Sequence, residues 1–295
     1  MPFSEGDHVT LSVQHKTTFN YSAPVSDPRI ELHISPVDTG VQKVLSHNIT
    51  LTPDAQINHR RDQFGNCVAC FDLPQAHDRL EIIATSMVET TNAVSCGPES
   101  EPDSRPYQER WHQFLQGSPG VPELPDYGTI KIERELSMDM DDIEFGHGLY
   151  MLARHFFEHF QYNPDISSPH ASPKTVFEGG IGSSHDMTHA MIGVLRQAGI
   201  PSRYVSGYVF NPGKGQIGEQ VRGSSGTHAW VQAWHEEYGW MGVDPSNSKL
   251  VDWQYVRTAI GRDYFDVPPH HLTFSGAASQ SVEETVQIDL VKVGD

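Results

Sequence analysis

The sequence is short of cysteine, of basic residues and of long apolar runs, and each shortage removes a class of protein. Three cysteines, Cys67, Cys70 and Cys96, are too few, and odd in number, for a disulfide framework. Cys67-Val-Ala-Cys70 has the spacing of a redox or metal pair, but there is no second pair. It follows the turn Gln63-Phe-Gly-Asn66 in an alternating stretch, so both cysteines are read as strand residues. Twenty Lys and Arg stand against 38 Asp and Glu, a formal net charge of −18. Nucleic acid and anionic membranes are therefore not expected as partners, and the excess reads as a solvated surface. No segment reaches the apolar length that spans a bilayer. The start, Met1-Pro-Phe-Ser-Glu-Gly-Asp-His8, has no basic stretch followed by an apolar one, so a cytoplasmic location is the expectation. A homo-oligomer is left open.

The 295 residues are 37% hydrophobic and 20% charged, the profile of a folded chain long enough for two domains. Residues 1–100 read as strands: Val9–Tyr21, Val44–Leu51, Cys67–Leu73 and Leu80–Val88, separated by turn residues. They predict an N-terminal β-sandwich-like domain. Residues 101–142 are Pro-rich and acidic, a connection with one short helix around Trp111. From 143 to 295 helices and strands mix, so the fold class is α+β. Leu149, Leu152, Ala153, Phe156, Phe157 and Phe160 recur at helical spacing. Met187, Ala190, Met191, Val194, Leu195 and Ala198 form one face of a second helix, with Ser183 and Asp186 as its cap and Gly199 and Pro201 as its stop. Strands follow over Arg203–Phe210, His228–Trp234 and Trp240–Asp244, and Val286–Val293 reads as an edge strand. The 17 histidines make metal binding worth weighing.

The chemistry concentrates in three segments: Gly182-Ser-Ser-His-Asp-Met-Thr-His189, Gly226-Thr-His-Ala-Trp-Val231 and Gly239-Trp-Met-Gly-Val-Asp-Pro-Ser-Asn247. A turn at Glu236-Glu-Tyr-Gly239, centred near Glu236, sets His228 directly opposite Asp244 with both side chains on one face. The acid can then accept from the imidazole and fix its tautomer. Ser184, at the helix start, has unpaired N–H groups and the positive end of the helix dipole beside it. Taken alone, each residue has a plainer explanation. The serine is a cap, the histidine a hydrogen-bonded strand residue, the aspartate a turn former before Pro245. Together they make a nucleophile, a base and an orienting acid.

At these residues the chain resembles the bacterial transglutaminase-like proteins. Leu195-Arg-Gln-Ala-Gly-Ile-Pro-Ser-Arg-Tyr-Val-Ser-Gly-Tyr208 is a close match, as are His228-Ala-Trp-Val231 and the Gly239–Asn247 segment. Tyr21-Ser-Ala-Pro-Val25, Asp62-Gln-Phe-Gly-Asn66 and Gly261-Arg-Asp-Tyr-Phe-Asp-Val-Pro-Pro269 extend the resemblance over most of the chain. It implies an N-terminal β domain, a papain-like α+β core, and amide or ester chemistry with no metal or cofactor. The family's nucleophilic cysteine falls on Ser184, its triad partners on His228 and Asp244. Asp186 and His189 match family positions beside the site, and with His185 they are expected to serve the oxyanion or brace the triad.

A serine hydroxyl cannot rest as an anion as a thiolate can, so His228 must act as general base during attack. The expected function is hydrolysis of a small ester, or of a peptide or amide, by a Ser-His-Asp triad, with esters favoured. A disabled Cys-to-Ser relative that binds peptides without turnover is the non-enzyme alternative. A second enzyme alternative is a metal-dependent hydrolase built on His185, His189 and His228. Tyr204, Trp230 and Trp240 are expected to line the substrate cleft, although each is equally suited to a core.

Overall fold

A computed structural model of the protein describes residues 8–93, 106–123, 144–165, 173–213, 216–275 and 279–293. The expected connection over 101–142 lies outside the described residues except for 106–123, where two single-turn helices, α1 (Tyr107–Arg110) and α2 (His112–Leu115), flank the buried Trp111. Cys96 also lies outside them.

The N-terminal half is built on one long strand. β1 (His8–Leu32) alternates apolar and polar residues through Val9, Leu11, Val13 and Phe19, all buried. Its first part lies between β5 (His77–Thr91) and β14 (Gln280–Val293), and its second between β4 (Cys67–Asp72) and β13 (His270–Ser275). The pairing slips between Asn20 and Val25, so β1 passes from one sheet into a second. β2 (Gln42–Thr52) pairs with β5, and β3 (Asn58–Arg61) with β4. The two sheets enclose a core of Phe19, Ile30, Leu32, Phe71, Leu80 and Ile82. β13 and β14 come from the span expected to belong wholly to the core, so this sheet takes its strands from both ends of the chain. β14 is an edge, as its sequence suggests: among the described residues β1 is its one strand partner.

The remainder is the expected α+β core. A five-stranded antiparallel sheet has the order β11 (Lys249–Leu250), β10 (Gly239–Asp244), β9 (His228–His235), β8 (Ser202–Val209), β12 (Tyr255–Gly261). Around it stand α3 (Glu144–His159), α4 (Pro173–Gly179) and α5 (Ser184–Gln197), with a small parallel pair, β6 (Gln161–Tyr162) and β7 (Ile181–Gly182), leading into α5. The apolar face predicted for α5 packs against Ala229, Val231 and Ala233 of β9 and Phe156 of α3. The helix is buried on more than that face, because Thr188, His189 and Arg196 are inside as well. Among the described residues no helix is long and apolar enough to cross a membrane.

Several side chains fasten the halves together, two of them by paired bonds to one backbone position. Asn66, from the Asp62–Asn66 turn, donates to Ile260 O and accepts from Ile260 N–H at 2.7 and 2.8 Å. Gln42 grips Arg257 in the same two-way manner at 2.9 and 2.8 Å. An apolar layer joining Val9, Leu11 and Val13 to Tyr208, Phe210 and Val256 completes the interface.

Candidate active site

The helix that carries Ser184 begins with a complete capping box. Ser183 is extended (φ −84°, ψ −177°), its Oγ accepts Asp186 N–H, and Asp186 Oδ2 accepts Ser183 N–H at 2.8 Å. Those bonds satisfy the cap and third-residue N–H groups. The N–H groups of Ser184 and His185 are left without a place in the helical ladder, pointing out of its positive end. Asp186 is thus the third-residue half of the capping box, and burial raises its carboxyl above the usual range.

Strands β9 and β10 supply the other two residues. Their register pairs Gly239 with His235 and Val243 with Val231, so the hairpin centres on Glu237 rather than Glu236. Gly239 sits at φ +70° and closes a three-residue loop, which displaces the pairing by two places. His228 is therefore diagonal to Asp244 instead of directly opposite. A shift of two preserves the face, and His228 Nε2 reaches Asp244 Oδ2 at 2.7 Å with both side chains fully buried.

Asp244 is saturated with donors. Oδ2 also accepts from Asn247 Nδ2 at 2.7 Å and Tyr255 Oη at 2.9 Å, while Oδ1 accepts from the Ser246 N–H and hydroxyl at 2.8 and 2.7 Å. Burial pushes this carboxyl up, but His228, Asn247 and Ser246 outweigh it and hold it at about 2. An ionised carboxylate only accepts, so His228 Nε2 is the donor, and in the neutral ring Nδ1 is the nitrogen that carries the lone pair. That Nδ1 is buried and has no hydrogen-bond partner among the described residues. Gly223, at φ +82°, passes so close that a β-carbon there would stand 2.4 Å from Nδ1 and 3.2 Å from Tyr162 Oη. The bond from Ser184 Oγ to His228 expected of a triad is not formed.

The other expected residues take different places. His185 Nδ1 meets Tyr204 Oη at 2.5 Å, and burial, with His228 and His189 nearby, lowers its pKa to about 3. His189 Nε2 accepts Tyr264 N–H at 3.0 Å. His189 and His228 thus each commit one ring nitrogen within the protein, and among the described residues no three His, Cys, Asp or Glu side chains are arranged to hold a metal ion. The metal alternative on His185, His189 and His228 has no geometric basis. Tyr204, Trp230 and Trp240 are core residues, not cleft walls. Tyr204 is wholly buried behind His185, Trp230 lies over Gly207 beneath His228, and Trp240 packs with Trp111, Phe114 and Trp234 under the Arg203 guanidinium. Aromatic rings at alternate strand positions pack between layers unless a cavity reaches them. Tyr162, Gly223 and Tyr255 were not found from sequence. Tyr255 follows β10 by eleven residues with no motif of its own, and Gly223 shows its purpose only once its φ and its neighbour are known.

A family model described as the bacterial transglutaminase-like N-terminal region matches residues 11–89, and one described as the transglutaminase-like superfamily matches residues 134–245, which include Ser184, His228 and Asp244. The chain belongs to the transglutaminase-like superfamily. An uncharacterized protein of Mycobacterium leprae is 28% identical over 281 residues, covering 94% of this chain and 98% of its own. A Pseudomonas aeruginosa protein-glutamine gamma-glutamyltransferase is 34% identical over 101 residues, 32% of this chain and 15% of that enzyme. A Cytophaga hutchinsonii structure, described as a candidate cysteine protease, shares the fold with a TM-score of 0.72 at 17% identity, covering 97% of this chain and 91% of that one.

Proposed function

We propose that this member of the superfamily is an acyl-transfer hydrolase with Ser184 as nucleophile, His228 as general base and acid, and Asp244 as the anchor of the imidazole. The carrying observation is the unpartnered, buried Nδ1 of His228. A ring nitrogen that no described protein donor or acceptor occupies is free to take a proton from a neighbouring hydroxyl. In this scheme Ser184 Oγ adds to the carbonyl carbon of the substrate while Nδ1 takes its proton. The N–H groups of Ser184 and His185 receive the charge that develops on the carbonyl oxygen. His228 then gives the proton to the leaving group, and water repeats the sequence to release the acid and restore Ser184. The contact between Ser184 and Nδ1 closes on substrate binding, as catalytic hydrogen bonds often tighten only in the complex. Activated esters are the preferred substrates, because their leaving groups need little help from the acid step, while amides need the nitrogen protonated.

A second reading, binding of peptides without turnover, is favoured by one observation: Gly223 rather than Ser184 lies against Nδ1. The test compares hydrolysis of a short activated ester by the wild type, Ser184→Ala, Ser184→Cys and His228→Ala, with no metal added. Ser184→Ala and His228→Ala are expected to abolish turnover by similar factors, since triad members act as a unit. Full activity in Ser184→Ala would reduce Ser184 to a helix residue. A large gain in Ser184→Cys with an inert wild type would establish the disabled reading.

A further inference from the structure

The buried side of β1 is apolar except at two neighbouring places. Between Val13 and Phe19 the inward positions hold His15 and Thr17, 1% and 3% exposed. Opposite Thr17 in the register stands Glu284 of β14. Glu284 Oε1 lies 3.4 Å from His15 Nε2 and accepts the backbone N–H of Thr227 at 3.0 Å. His15 is itself fixed, with Nε2 3.1 Å from Thr17 Oγ1 and Nδ1 2.9 Å from Tyr208 Oη, which donates to Ile34 O at 3.3 Å. Two residues further along β14, Val286 N–H donates to Ser225 O at 3.2 Å. β14 therefore grips both Ser225 and Thr227, in the loop that runs from Gly223, against Nδ1, to His228 itself.

We infer that Glu284 is a positioning residue for His228: by holding Thr227 N–H it fixes where β9 begins and where the imidazole stands, with His15 steadying the carboxylate. The consequence for turnover rests on His228 acting as proposed above; the positioning does not. The titratable groups around Glu284 are His15 on β1, His270 on β13, Tyr208 on β8, Tyr264, and His185 on α5. Burial pushes the Glu284 carboxyl up, but the hydrogen bond and charge of His15, then Thr227 N–H and His270, hold it at about 2. The grip therefore persists in the native protein throughout ordinary acid.

The test follows the His228 Nε2 proton by NMR together with kcat for an activated ester. Glu284→Ala is expected to broaden or lose the proton signal, to unprotect the Thr227 amide against exchange, and to lower kcat on the order of 10²-fold with KM little changed. Glu284→Gln, whose amide oxygen still accepts from Thr227, is expected to restore the signal and most of kcat. Glu283→Ala, a change at the exposed neighbouring carboxylate, leaves both as they were. A sharp proton signal and a protected Thr227 amide in Glu284→Ala would overturn the inference. Should that variant fail to fold, Glu284→Gln and the wild type decide: a protected Thr227 amide and a sharp His228 signal in both support the inference, and a rapidly exchanging Thr227 amide in either folded protein overturns it. A wild type that turns over no ester defeats the hydrolase reading and leaves the NMR result to decide the positioning.

Discussion

At the scale of single residues, the site is organised around which nitrogen of His228 is free. Asp244 takes Nε2, so any proton transfer passes through Nδ1, and Nδ1 faces Gly223. Glycine is required there twice over. The backbone is left-handed at φ +82°, and a methyl group would stand 2.4 Å from the working nitrogen. Gly223→Ala is accordingly expected to abolish ester hydrolysis even where the melting temperature falls only slightly, and a kinetic and thermal comparison checks this. Wild-type turnover in Gly223→Ala would remove Nδ1 from the mechanism. His228 and Asp244 were legible in the sequence because each sits in a short motif with its own spacing. Glycine 223, Tyr255 and Glu284 were not, since their purposes are contacts across 5 to 57 residues of chain. His15 and Thr17 did leave a mark: they are polar where the alternation of β1 calls for apolar residues.

At the scale of elements, α5 and the β9–β10 hairpin were foreseen for sound reasons and with one error. The helix start was readable from Ser183 and Asp186, and both halves of the capping box are formed. Ser183→Ala removes the acceptor for Asp186 N–H and the hydroxyl that Asp186 Oδ2 holds. The expected cost is about 1–2 kcal/mol of stability, measured by denaturant unfolding. Turnover should fall as well, because the first turn places Ser184 and its neighbouring N–H groups. An unchanged kcat would mean that the cap is not what positions the nucleophile. The hairpin error came from the turn. Four residues, Glu236 to Gly239, admit two centres, and the choice depends on Gly239 being left-handed, which composition does not reveal. The aromatic residues were the harder matter. A tryptophan on a strand reads alike whether it faces substrate or core, and Trp230 and Trp240 face the core.

At the scale of the whole molecule, the α+β class and the β-sandwich-like first half follow from periodicity and turns. The return of β13 and β14 to β1 does not, because an edge strand carries no label for the sheet it joins. That return places charge at the junction of the two halves, and the acid response reports it. Asp244 and Glu284, both held at about 2 in the folded protein, contribute stability above their unfolded pKa values that is lost as pH falls from roughly 4.5 towards 2. His185 and His47 act earlier. Burial lowers them to about 3 and about 4, so between those values and about 6.5 the unfolded chain binds more protons, and stability declines as pH falls. The melting temperature is therefore expected to fall in two stages, first below about pH 6.5 and more steeply below about 4.5, with the first stage reduced in His185→Gln. A melting temperature flat from pH 6.5 to 4.5 would contradict the placement of these histidines.

The claim on which the functional account stands is that Ser184 becomes acylated through His228. Mass spectrometry of the intact protein, quenched in acid during turnover of an activated ester and then digested, reads this directly. The account predicts the mass of one acyl group on the peptide carrying Ser184, absent in Ser184→Ala and in His228→Ala. Ester turnover with the acyl group on another residue, or undiminished in Ser184→Ala, would contradict it.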